Sequence, residues 1–138
     1  MSELDTYLEK ARAQLRAADY KTYRGARASC WGIALQVSRL VEAKGIRPVV
    51  FEVAKMVGGQ MVEMTPLLYE GRVTLYGHVA CSAEGLMLDP LLDEPEPIET
   101  YGVSAFGEAL TLRVITADKW AEVTPQIEGT APPLIPSS

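Results

Sequence analysis

Apolar positions near the start of the chain recur at helical spacing. Leu4, Tyr7, Leu8, Ala11 and Leu15 fall three or four residues apart, which puts them on one face of a helix over 3–18. Ser2 suits the cap of that helix, and Asp5 adds a carboxylate to its first turn. Residues 19–28 are polar, contain Gly25 and read as a loop. Ser29 then serves as N-cap for a second helix from Cys30 to Lys44, ended by Gly45. Ile33, Val37, Leu40 and Val41 form its apolar stripe, and Cys30 joins that stripe in the first turn. Past Gly45 the period falls to two, and residues 47–57 (RPVVFEVAKMV) read as a strand.

Gly58-Gly59 marks a turn, and 60–64 extends the strand or pairs back on it. Residues 66–70 form a loop and 72–82 (RVTLYGHVACS) a second long strand. A tight turn at 83–85 returns the chain through Leu86-Met87-Leu88, and Asp89-Pro90 ends that strand. Residues 90–98 carry three prolines and three carboxylates and read as a loop. Residues 99–107 show no decisive period, and 109–115 (ALTLRVI) reads as the last strand. Helices first and hairpin-linked strands after predict an α+β fold, with N-terminal helices packed on a central antiparallel β-sheet. Residues 1–122 form one domain of catalytic type, and the proline-rich 123–138 is expected to be a disordered tail.

Composition narrows the function classes. The 138 residues are 48% hydrophobic and 22% charged, which suits one globular domain. The net charge of −5 opposes a phosphate backbone, so nucleic acid is not an expected partner. No apolar run approaches the roughly 20 residues of a membrane span, and residues 1–15 do not read as a signal peptide. The chain is expected in the cytoplasm, or delivered into a target cell without a classical signal peptide. Gly58-Gly59 lacks the context of a nucleotide-binding loop.

The chain has two cysteines, Cys30 and Cys81, and one histidine, His78. A four-ligand zinc site would consume all three and still need a carboxylate, so no metal is expected, and His78-x-x-Cys81 is a poor half-site. Any imidazole chemistry belongs to His78. Cys30, at a helix start, would gain from free amides and the positive dipole end, which favour a thiolate and can hold an oxyanion. The bland alternative is a small core residue. Strand alternation puts His78 on the less apolar face and Cys81 on the other, in the core. Pairing across the 83–85 turn returns Asp89 toward His78, where a carboxylate would fix the imidazole tautomer. The alternative for Asp89 is a plain strand-ending turn. Trp31 is either a pocket wall or a core aromatic. The acidic segment 93–99 (DEPEPIE) is either a solvated loop or a steering patch for a partner or inhibitor protein.

Nucleophile, base and orienting carboxylate thus follow one another along the chain. Ser29-Cys30-Trp31 followed by Gly32 resembles the nucleophile segment of papain-like cysteine proteases. Gly77-His78-Val79-Ala80 with Leu86-Met87-Leu88-Asp89-Pro90 resembles the His and Asp strands of the wider papain-like and transglutaminase-like superfamily, above all papain-fold toxin and glutamine-deamidase domains. The resemblance spans residues 25–93. It departs at Ala28, where a glycine is usual, and in lacking a glutamine before the nucleophile. It implies Cys30 as nucleophile, His78 as general base and Asp89 as orienting residue, with Ser29, Trp31, Arg24 and Gly77 in the substrate and oxyanion neighbourhood. The implied protein is a thiol hydrolase of effector or toxin type that needs no cofactor and deamidates glutamine on, or cleaves, a protein substrate. The contrasting expectation is a non-catalytic adaptor domain that uses the acidic loop, Met56, Met61 and Met64, and the proline-rich tail for protein contacts.

Overall fold

A computed structural model describes residues 3–17, 23–69 and 74–122, and for 14–17, 23–29 and 69 it describes the backbone alone. Ser2 and the tail 123–138 lie outside the described residues. Helix α1 spans Glu3–Ala17 and helix α2 spans Tyr23–Glu42. Leu4, Tyr7, Leu8 and Ala11 of α1 are buried, as the three-and-four spacing predicts. Ile33, Ala34, Val37 and Val41 of α2 are buried likewise. Each Leu- or Ile-sized side chain taken out of water contributes about 1.5–3 kcal/mol, enough to dock both helices.

Helix α2 starts at Tyr23, not at Cys30. Gly25 costs only about 1 kcal/mol in a helix interior, and the alanines and arginines around it favour helix. Ser29 is therefore inside the helix rather than capping it, and Cys30 stands well beyond the first turn.

The strands are β1 (Pro48–Val57), β2 (Gln60–Val62), β3 (His78–Ala83), β4 (Leu86–Met87), β5 (Glu96–Pro97) and β6 (Thr111–Val114). All are paired antiparallel in the order β2-β1-β3-β4-β5, with β6 also on β1. Val53 lies opposite both His78 and Leu112, so β3 and β6 flank the two edges of β1. The protein is thus α+β, as expected, but the sheet is not a simple meander, because the last strand returns to the first long one. All six residues of β3 are buried, so both its faces are covered, and α2 packs chiefly on this strand.

The strand expected over 72–82 is shorter in the structure. Leu75 makes only an isolated bridge with Met64, and the strand proper begins at His78. Gly77, at φ 145°, breaks the extension in a conformation that side chains rarely adopt. The proline-rich loop contains β5, which pairs Glu96 with Met87. Residues 99–107, left open by the pattern, fall mostly in helix α3 (Ile98–Phe106), which buries Tyr101, Gly102, Ala105 and Phe106. A last helical stretch, 117–122, carries Trp120.

Helix α3 lies against the backbone of 108–110. A Cβ on Gly102 would meet the Glu108 carbonyl oxygen at 2.7 Å and the Leu110 nitrogen at 3.0 Å. Both are backbone atoms, so the helix itself would have to move. Gly102→Ala is expected to destabilise the protein by about 1–3 kcal/mol, the usual cost of overpacking, despite the better helix propensity of alanine. Guanidinium unfolding measures this, and a midpoint equal to or above wild type contradicts the packing described.

Candidate active site

Strand β3 delivers His78 at its first residue, just after Gly77. The hairpin pairs Ser82 with Met87 and Ala83 with Leu86, and the Leu88 amide continues the ladder to the Cys81 carbonyl at 2.9 Å. Carried two residues on from Met87, this register sets Asp89 beside Ala80, on the face that also carries His78, as a diagonal neighbour. The His78 Nε2 to Asp89 Oδ2 distance is 2.7 Å. The predicted pairing across the 83–85 turn therefore places the two side chains as expected.

Asp89 also ends the strand. The Leu91 amide donates to its Oδ1 at 3.1 Å, and the Leu92 amide donates to its carbonyl at 2.9 Å. The turn and the histidine partner, read as alternatives from sequence, are both present in one residue. The segment is tied down further by Arg12 of α1, which donates to the Leu92 carbonyl and pairs with Asp93 at 3.2 Å. Asp93 is almost fully exposed, so that ion pair contributes little.

A residue absent from the sequence reading completes the carboxylate. The Tyr101 hydroxyl of α3 donates to Asp89 Oδ2, the oxygen that also meets His78. Phe106 of the same helix sets its ring edge-on to His78 at 6.0 Å and to Tyr101 at 6.2 Å. No local motif could have flagged either residue. The signal lay in two aromatics within a segment that had no decisive period.

Cys30 shares a mostly apolar cavity with His78 and Asp89, walled by Ile33, Leu75, Leu88 and Leu91 among others. The free space in it is about 20 Å³, roughly what one water needs. Cys30 is 6% exposed, His78 6% and Asp89 0%. The face that alternation marks as the less apolar one is buried at His78, because β3 is covered on both faces. Nε2 of His78 is committed to Asp89. Nδ1 is buried without a regular hydrogen-bond partner, and the Cys30 side chain acts on the ring by hydrogen bonding and charge. Nδ1 is thus the ring nitrogen not committed to Asp89.

Other expectations about Cys30 are corrected. Its amide lies inside the hydrogen-bond ladder of α2, so neither the helix-start dipole nor first-turn amides serve it. The Ser29 and Arg24 side chains lie outside those described. Trp31 is absent from the cavity wall and stacks on Trp120, with ring centres 6.0 Å apart and planes at 20°. Cys81 is a buried free thiol whose pKa is pushed up to about 12, chiefly by burial and then by the Glu42 charge. Among the described residues, no three His, Cys, Asp or Glu side chains are grouped to hold a metal ion, and no helix is long and apolar enough to cross a membrane.

Burial alone would disfavour a charged imidazole. The charge and hydrogen bond of Asp89, with the Cys30 side chain, outweigh it and raise His78 to about 10. Comparison with protein-family models, curated proteins and solved structures finds no match to this chain.

A stability consequence follows from that imidazole. Its unfolded value is 6.5 and its folded value about 10. Between them the folded state binds the extra proton, so this stabilisation is complete below pH 6.5 and is lost as pH rises toward 10. Cys81 and Tyr101 act in the same sense, but only above their ordinary values of 9.0 and 10.0. The window from pH 6.5 to 9 therefore isolates His78. Guanidinium midpoints are expected to fall across it in wild type and to stay flatter in His78→Gln. Equal slopes would contradict the coupling.

Proposed function

We propose that the protein is a cysteine-dependent amide hydrolase built on Cys30, His78 and Asp89. The observation that carries this reading is the convergence, in one cavity, of the only histidine, a thiol that is in no disulfide and a carboxylate hydrogen-bonded to the imidazole Nε2. An imidazole raised to about 10 retains the proton it takes from the thiol, as an imidazolium, through neutral pH. In the proposed cycle His78 takes that proton and Cys30 sulfur attacks the amide carbonyl. The imidazolium then protonates the leaving nitrogen as its bond to carbon breaks. Water, deprotonated by His78, cleaves the thioester and returns the thiol. Asp89 holds the Nε2 proton throughout and stabilises the imidazolium. Glutamine on a partner protein is the substrate favoured by the family resemblance, and peptide-bond cleavage follows the same steps with a different leaving amine.

A second reading has its own observation. The cavity has room for about one water, and Cys30 is almost fully covered. Met56, Val57, Met61, Leu67, Leu68 and Tyr76 are meanwhile exposed apolar surface. Both features suit a binding domain that keeps the three side chains as a buried polar cluster.

The two readings diverge on substitution. Incubation with cell lysate, followed by mass spectrometry, reads glutamine-to-glutamate conversion and new peptide termini. Cys30→Ala and His78→Ala are expected to remove every product that wild type forms, with Cys30→Ala leaving the fold intact. Asp89→Asn is expected to lower the rate by several orders of magnitude, about 10⁴-fold where an orienting aspartate of this kind has been replaced. Products that persist in Cys30→Ala defeat the hydrolase reading.

A further inference from the structure

Asp89 is completely buried, yet one of its oxygens carries two partners. Oδ2 meets His78 Nε2 at 2.7 Å and also accepts the Tyr101 hydroxyl, while Oδ1 takes the Leu91 amide. The donors come from three different parts of the fold: β3, the turn after β4, and α3. Tyr101 is itself 0% exposed and is absent from the cavity wall, so it touches the carboxylate and not the space beside Cys30. A phenol here has only one use, because a carboxylate oxygen only accepts. Burial, and then the Asp89 charge, hold the Tyr101 proton well above its ordinary titration range, so the donor persists at every working pH.

We propose that Tyr101 is a positioning residue for the Cys30–His78–Asp89 unit: its hydroxyl fixes the rotation of the Asp89 carboxylate so that Oδ2 accepts from Nε2–H, leaving Nδ1 of His78 to exchange its proton with Cys30. The proposal deepens the hydrolase reading and rests on it for its kinetic consequence, although the Nε2–H bond to Asp89 can be read without any substrate. With two donors on Oδ2, the carboxylate is pinned at both oxygens. With Tyr101 gone, Leu91 holds Oδ1, and only the His78 contact itself holds Oδ2. Proton placement on the imidazole then loses its outside constraint. Phe106 supports the arrangement by packing edge-on against both rings, and the close approach at Gly102 holds the helix that carries them.

Because His78 is the only histidine, its ring signals need no further assignment. Nitrogen-15 labelled protein is expected to show Nε2 protonated, with a low-field Nε2–H proton protected from solvent exchange. In Tyr101→Phe that proton is expected to move upfield and exchange at least about tenfold faster, as for a weakened charge-assisted hydrogen bond. Tyr7→Phe is the control. Tyr7 is also buried, its hydroxyl has no hydrogen-bond partner among the described residues, and its loss is expected to leave the signal unchanged. If Tyr101→Phe does not fold, a fluorinated tyrosine placed at 101 keeps the ring and sharpens the donor, and it is expected to shift the same proton. An Nε2–H signal unmoved in the folded Tyr101→Phe protein, or by the fluorinated residue, overturns the proposal.

Where wild type forms a Cys30-dependent product, Tyr101→Phe is expected to lower kcat by about 10- to 100-fold with KM unchanged. A loss confined to KM overturns the positioning role. If wild type forms no such product, the hydrolase reading falls alone, and the nitrogen signals still decide whether Tyr101 holds the Asp89 carboxylate against Nε2–H.

Discussion

A carboxylate and an imidazole buried together in an apolar cavity set the terms for the surrounding structure. Taking a charged group out of water costs several kcal/mol per ion, and only closely placed partners offset that cost. Asp89 has three such partners, two on one oxygen and one on the other. Supplying them requires β3, the turn after β4 and α3 to meet at a single side chain. The short strands β4 and β5 make sense in this light. They pair just far enough to bring Asp89 back toward His78 and to launch α3 from Glu96-Pro97. The Arg12 contact with the Leu92 carbonyl holds the same segment from the helical side.

The thiol has a different physical basis from the one its neighbours in sequence imply. A cysteine at a helix start draws on unpaired amides and the dipole, whereas Cys30 lies in the body of α2 with its amide already used. Its electrostatic partner is the His78 ring, and that ring is strongly biased toward its protonated form by Asp89. Any activation of the sulfur therefore runs through the imidazole and fails with it. The second thiol, Cys81, shows the contrast. It is buried too, and burial, then the Glu42 charge, push its pKa up to about 12.

The cavity walls carry a further constraint. Leu75, Leu88 and Leu91 close the space around the three side chains to about 20 Å³. A tight, mostly apolar surround strengthens the hydrogen bonds within it and also restricts what can reach the sulfur. Met61 lies against Gly77, one residue before His78, and belongs to the exposed apolar surface of the β1–β2 hairpin.

The sequence by itself determined the parts of this protein that depend on local spacing. Helical periodicity predicted α1 and the buried stripe of α2, and period two predicted β1. The tight turn at 83–85 predicted that Asp89 returns beside His78, because hairpin register follows from turn length and alternation alone. The tertiary structure decided the rest. Tyr101 and Phe106 sit in a nine-residue helix whose formation depends on burial against the sheet rather than on its own pattern. The placement of β6 on the far edge of β1, and the covering of both faces of β3, are long-range pairings that no local window contains. The start of α2 turned on a balance between one glycine and its helix-favouring neighbours. That small difference in propensity decides whether Cys30 is an N-terminal thiol or one whose chemistry comes from across the core.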